Sequence, residues 1–393
     1  MKITDVEAIT LHIPLDTELH HAQGAFDSRS TVLVKVHTDA DTTGVGEAAF
    51  FAGPSRSTAT IIEEELTPRL LGRDPRYPER IWEDLFRQTY WGGRGGPTIC
   101  AISGIDIALW DLYGKLVDEP VHRLLGGYAD RVRAYASGGY YSGPDDRDRL
   151  VEEMRDHVAD GFRAVKMKTG WDVEGPTEPP DRYGPPTPKS LDRDIERIRA
   201  VREAVGPDVA LMIDSNNGWD PSTTIRVANQ LDEVGLYFIE EPIATEDREG
   251  MRRIRDSVDV PIAGCETAYT RYAFRDLIAD GCLDVVQPGV NWAGGLTECR
   301  RIAALAAAHD RPVVPNSFHS AVNLTAAIHL TCGIPNGPFV EYDRTQANML
   351  TTDLIREPIA VDDEGYVAPR DAPGLGIELD DEFVEAHRVD PSV

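Results

Sequence analysis

Two patterns of apolar and polar positions divide the chain. Residues 3–13 are rich in β-branched and apolar side chains and residues 31–37 alternate, so the first 50 or so residues read as strands. The period then lengthens to that of a helix over 57–71, 77–90 and 97–116, the last opened by Pro97 near its first turn. Residues 1–125 are therefore expected to form one α+β unit. From Arg131 onward short apolar strands alternate with amphipathic helices, the signature of a parallel sheet covered by helices. The strand candidates are 132–136, 164–168, 209–214, 237–240, 261–264, 284–287, 312–315 and 338–341. Eight such units fit a closed (β/α) barrel over residues 126–350. Residues 172–189, rich in Pro, Gly and charge, read as a loop inserted after the second strand. Residues 351–393 form an acidic, loop-like C-terminal segment expected to pack back on the first domain.

Charge narrows the partners. With 67 acidic against 40 basic residues the formal charge is −27, which argues against nucleic acid and against an anionic membrane surface. The longest apolar runs fall short of the roughly 20 residues of a bilayer span, and the N-terminus has no apolar signal core, so a soluble, cytoplasmic protein is expected. Five cysteines, odd in number and without a Cys-x-x-Cys pair, argue against a disulfide framework or a zinc site. Lysine occurs at only six positions, the other basic residues being arginine. Low lysine on a strongly acidic chain reads as a surface adapted to high salt, the alternative being an ordinary acidic protein. A salt-adapted surface predicts a melting temperature that rises substantially from low salt to molar KCl; a flat response would leave only the ordinary acidic protein.

Three acids end three consecutive strand candidates: Asp214 in Met-Ile-Asp-Ser-Asn-Asn, Glu240 in Phe-Ile-Glu-Glu-Pro and Glu266 in Gly-Cys-Glu-Thr, 26 residues apart in each case. One βα unit of spacing sets them side by side at the C-terminal mouth of a barrel, where such folds hold their active sites. A single acid there would merely cap the next helix, but three in step call for a cation, and an oxygen-only set suits Mg2+ or Mn2+ rather than zinc. Lys166 and Lys168 on the preceding strand share one face. Two inward lysines disfavour each other's charge, so one can serve as a general base, although neighbouring carboxylates pull the other way.

Lys-x-Lys followed by Asp, Glu and Glu at successive strand ends, with Gly104-Ile-Asp-Ile-Ala-Leu-Trp-Asp111 and Leu-Leu-Gly-Gly before them, resembles the enolase superfamily in its mandelate racemase and muconate-lactonizing branch. The resemblance spans nearly the whole chain. It implies an α/β fold: an α+β capping domain on a modified (β/α)7β TIM-type barrel. It implies Mg2+ held by residues matching Asp214, Glu240 and Glu266, with Lys168 abstracting the proton α to a substrate carboxylate and Lys166 as an electrostatic helper. Glu341 in Phe-Val-Glu-Tyr-Asp matches a glutamate that donates a hydrogen bond to that carboxylate. The chain departs from the pattern where an Asp usually orients a catalytic His. Gly289 stands in place of the Asp and Asn316 in place of the His, with His319 three residues later as a displaced acid or a structural histidine. His20 and His21, in an expected loop of the capping domain, Trp91, Asn216 and Asn316 are the expected substrate contacts, with Phe50, Phe51 and Tyr90 as further wall candidates.

The resulting expectation is a metal-dependent sugar-acid dehydratase giving a 2-keto-3-deoxy acid, with an isomerase as the alternative: a cycloisomerase or lactone-opening enzyme rather than a racemase or epimerase. A small-molecule carboxylate is the expected substrate and a homo-oligomer the expected assembly. A non-catalytic protein on the same barrel would be expected to have lost the acid trio or the lysine pair, and this chain keeps both.

Overall fold

The computed structural model describes residues 1–49, 56–143, 146–171, 187–345 and 348–389. Strands β1 (Ile3–His21), β2 (Gly24–Thr38) and β3 (Thr43–Ala48) form an antiparallel sheet in that order. The β1–β2 hairpin runs further than the alternation indicates: pairing resumes after an irregularity between Pro14 and Leu19 and continues to His21 opposite Gly24. His20 and His21 thus close a strand rather than sit in a loop. Tertiary pairing extends it, because His20 and Tyr141 exchange two backbone hydrogen bonds of 3.0 and 3.1 Å. Strand β3 escapes the sequence pattern for a steric reason. A Cβ on Gly44 or Gly46 would lie 2.1 Å from the carbonyl oxygens of Ala108 and Gly104, so this strand lies directly on the helix Pro97–Val117.

The barrel strands are β4 (Val132–Gly138), β5 (Ala164–Lys168), β6 (Ala210–Asp214), β7 (Phe238–Glu240), β8 (Ile262–Gly264), β9 (Val285–Val286) and β10 (Phe339–Asp343), parallel in the order β10-β4-β5-β6-β7-β8-β9. The expected strand at 312–315 reduces to a single bridge from Val313 to Val286. Pro312 and Pro315 flank it, and without N–H groups neither can extend a ladder. It still completes the ring. Tyr135, Ala164, Met212, Phe238, Ala263, Val285, Val314 and Phe339 form one buried apolar cluster with one member from each of the eight segments. A closed barrel brings such a set together.

The C-terminal segment touches both domains rather than the first alone. Strand β11 (Tyr366–Val367) pairs antiparallel with β4, and the helix Asp381–His387 leads into Val389, whose N–H donates to Thr10 O at 3.0 Å. Between them Leu375 docks on a fully buried histidine. His329 Nδ1 accepts from the His122 N–H at 3.0 Å, and its Nε2 lies 3.1 Å from Leu375 O. That arrangement fits only the neutral ring, and burial pushes its pKa down to about 3. The folded value lies below the unfolded 6.5, so the stabilisation is complete above that pH and is lost as pH falls toward 3. Thermal melts from pH 7 to 4 should show a shallower decline for His329→Gln than for the parent, which loses about 1.4 kcal/mol per pH unit at this site; parallel curves would contradict the assignment.

Among the described residues no helix is long and apolar enough to cross a membrane. All five cysteines are buried and unpaired.

Candidate active site

Strand alternation puts the chemistry one layer above the apolar cluster. Lys166 follows Ala164 by two, Asp214 follows Met212, Glu240 follows Phe238, Gln287 follows Val285, Asn316 follows Val314 and Glu341 follows Phe339, so each points into the barrel. The registers Lys168 opposite Asp214 and Asp214 opposite Glu240 set the lysine pair beside the acids. Beyond the strands the backbone turns sharply. Asn216, Asn217, Glu241 and Cys265 all have positive φ, of 40°, 61°, 44° and 72°. Non-glycine residues in this region cost about 1–3 kcal/mol each and concentrate at functional sites. Glu241 holds the third turn: its carboxylate accepts from the N–H of Cys265 at 2.6 Å and of Glu266 at 3.2 Å, fixing the backbone that carries Glu266.

Five carboxylates (Asp214, Glu240, Glu241, Glu266 and Glu341) surround two ammonium groups. Lys168 is ion-paired with Asp214, and Lys166 with Glu240 and, at 2.8 Å, Glu341. Burial opposes charge on both lysines, yet the carboxylates outweigh it and hold both above the usual lysine value. The reciprocal pull of the lysines overcomes burial at Asp214 and Glu341, whose values fall. Elsewhere the negative charge is in excess. Burial first, and neighbouring carboxylates with it, raise Glu240 well above the carboxylate range and push Glu241 up to about 7 and Glu266 up to about 8. This surplus is the observation that fits the residues to a divalent cation.

The acids stand at adjacent strand ends, but among the described residues no three acidic, imidazole or thiol groups are gathered closely enough to hold a metal ion. The reason is visible in the pairing: Asp214 and Glu240 are held by the lysines, and Glu266 accepts from Asn316 Nδ2 at 2.6 Å. A cation would compete with those three contacts for the same oxygens.

A cavity of about 280 Å3 opens over this layer. The barrel supplies Tyr140, Lys168, Asn216, Glu266, Asn316, Phe318, His319 and Glu341, and the β1–β2 hairpin supplies His21, Phe26, Asp27, Ser28, Arg29 and Ser30. Gln23 at the hairpin turn donates to Asn216 O at 2.7 Å, which pins the hairpin to the mouth. Burial, then the Lys168 charge, push His21 down to about 4, so its ring is neutral near pH 7. His319 is 5% exposed and shares the cavity with Lys168.

Other expected contacts fall elsewhere. His20 stacks on Trp171 at 4.6 Å between centroids and does not line the cavity. Trp91 is 94% exposed and Tyr90 57%, so within this chain neither walls the site; both follow the end of the helix Pro78–Gln88, on its solvent side. Phe50, Phe51 and most of the 172–189 loop lie outside the described residues. Asn316, in the position of the usual histidine, is a partner of Glu266. At Gly289 a Cβ would come 3.0 Å from that of Trp292, which leaves little room for an aspartate. Arg29, Tyr140, Gln287 and Glu241 belong to the site and had no sequence signal, except that Glu241 is the second acid of Phe-Ile-Glu-Glu-Pro.

Comparison with known proteins matches residues 3–126 to the mandelate racemase / muconate lactonizing enzyme N-terminal domain and residues 149–383 to the enolase C-terminal domain-like family. Arabinonate dehydratase of Saccharolobus solfataricus is 34% identical, covering 91% of this chain and 90% of its own. D-galactarolactone cycloisomerase of Agrobacterium fabrum is 35% identical over the full length of both. A racemase from Streptomyces coelicolor, solved with bound magnesium, superposes with a TM-score of 0.87 at 32% identity, covering 98% of this chain and all of the other.

Proposed function

The chain belongs to the mandelate racemase/muconate lactonizing enzyme family of the enolase superfamily, and from that premise we propose that it removes water from a sugar acid, with Lys168 as base and His319 as acid. The observation that carries this reading is that both side chains line one cavity, beside Glu341 and under a hairpin bearing Ser28 and Ser30 hydroxyls suited to a polyol.

The metal is Mg2+, with Mn2+ as a substitute, and Asp214, Glu240 and Glu266 would hold it. When bound it supplies positive charge beside the substrate carboxylate, which lowers the cost of the carbanion that forms next to it. Lys168 begins paired with Asp214. With Asp214 engaged as a ligand, Lys168 would lose its ion-pair partner, and burial and the charge of Lys166 would both favour the free amine, the form that takes the α-proton. Lys166 keeps its charge through Glu341, which is not one of the three metal-holding acids, and faces the electron density that moves into the substrate carboxylate. Glu341, fixed by the Ser317 N–H at 2.9 Å, is ionised in the substrate-free chain and accepts rather than donates. His319 then protonates the β-hydroxyl as its C–O bond breaks. The resulting enol becomes the 2-keto-3-deoxy acid.

Replacing His319 by Asn should suppress product formation while the substrate's α-proton still exchanges with D2O; unchanged turnover would make His319 structural. Cycloisomerisation is the second reading, favoured by the absence of the Asp-His pair and by the full-length match to a cycloisomerase. A panel of sugar acids incubated with enzyme and Mg2+, followed by 2-keto acid formation, decides between them.

A further inference from the structure

Gly289 offers no side chain to orient an acid, so the orientation of His319 has to come from elsewhere. Resting on the dehydration proposed above, we infer that Arg29 and Glu47, two charged residues of the capping domain, are the positioning residues of His319.

They hold the chain on either side of it. Arg29 on β2 donates from Nη1 to Phe318 O at 3.3 Å, and its Nη2 lies 3.1 Å from Asp343 Oδ2. Its guanidinium carbon sits 4.0 Å from the centre of the Phe318 ring and 5.0 Å from that of Phe26. Asn348 Nδ2 carries the link onward, donating to Asp343 Oδ2 at 2.8 Å and to His319 O at 3.3 Å. On the other side Glu47 on β3 accepts from Ser320 Oγ and from the Asn323 N–H at 3.1 Å. Residues 318 and 320 are thus tied directly to a capping-domain side chain, and residue 319 through the Asp343–Asn348 pair.

Both anchors are deeply buried, Arg29 at 5% exposure and Glu47 at 0%. Burying an ionic group is costly, and apolar residues of similar volume often stabilise a fold at least as well, so stability alone is a poor reason for this arrangement. It gives control over one half of the reaction. Lys168 stands on β5, inside the barrel, and proton abstraction does not depend on the clamp. The acid does: the segment that carries it is held by capping-domain side chains that are in place when that domain is docked. Elimination is then coupled to domain docking, while α-proton exchange is not.

The test separates the two steps with a sugar acid that the enzyme turns over, in D2O. Asn348→Ala removes the bridge to His319 O, and Asn348 does not line the cavity. Product formation should fall by about tenfold, the scale of a small misplacement of a reacting group, while deuterium uptake into recovered substrate should stay within about twofold of the parent. Glu47→Gln, also outside the cavity lining, weakens the hold on Ser320 and Asn323 and should show the same split, and it serves as the test if Asn348→Ala does not fold. Exchange and elimination falling together, or neither changing, would overturn the clamp. Exchange that persists in Lys168→Ala would instead overturn the reading of the reaction itself.

Discussion

Lys168→Ala should lower turnover by at least about 10²–10⁴-fold, the usual worth of a positioned general base. The geometry makes a further demand. Because Lys168 and a cation compete for Asp214, removing the ammonium should leave Mg2+ affinity equal or higher, not lower. Without the metal, Asp214 would be left with a more distant lysine, Lys166 at 3.8 Å, so the metal-free variant should melt lower than the parent and gain more from Mg2+. Activity within tenfold of the parent would remove Lys168 from the chemistry.

Asp214→Asn attacks the same contact from the other side. The amide can still accept from the Asn216 N–H, which now bonds Asp214 Oδ1 at 2.8 Å, so the turn after β6 should survive. What is lost is a ligand charge and the partner of Lys168. If the cation supplies several kcal/mol at about 1.4 kcal/mol per decade, turnover should drop by about 10³-fold or more. The rise in melting temperature on adding Mg2+ should shrink with it. A variant that still binds and is stabilised by Mg2+ as the parent is would place the cation elsewhere.

The barrel was legible because its signals are local. Apolar strands of four to six residues, each followed by an amphipathic helix, show their period without tertiary help, and Ala164–Lys168 matches to the residue. The acid trio was legible for a related reason: equal spacing on a repeating βα unit is geometry written along the chain. The failures share a cause too. Residues 14–21 are a strand because they pair across the hairpin with residues 24–28, with Tyr141 adding a bridge at His20, and Thr43–Ala48 is a strand whose glycines serve a neighbouring helix rather than an alternating pattern. Arg29 and Tyr140 reach the cavity from two domains, a meeting that no local pattern encodes. Glu241 turns to its role through a left-handed backbone that alternation would have pointed the other way.

The most direct test of the central claim is the fate of the α-hydrogen. Enzyme, Mg2+ and a panel of five- and six-carbon aldonic and aldaric acids are combined in D2O, and products are read by NMR and mass. Removal of the α-proton followed by loss of the β-hydroxyl predicts, for at least one acid, a 2-keto-3-deoxy product lighter by one water, with one solvent deuterium at C3. A product isomeric with its substrate, or a 2-keto-3-deoxy product without solvent deuterium at C3, would contradict it.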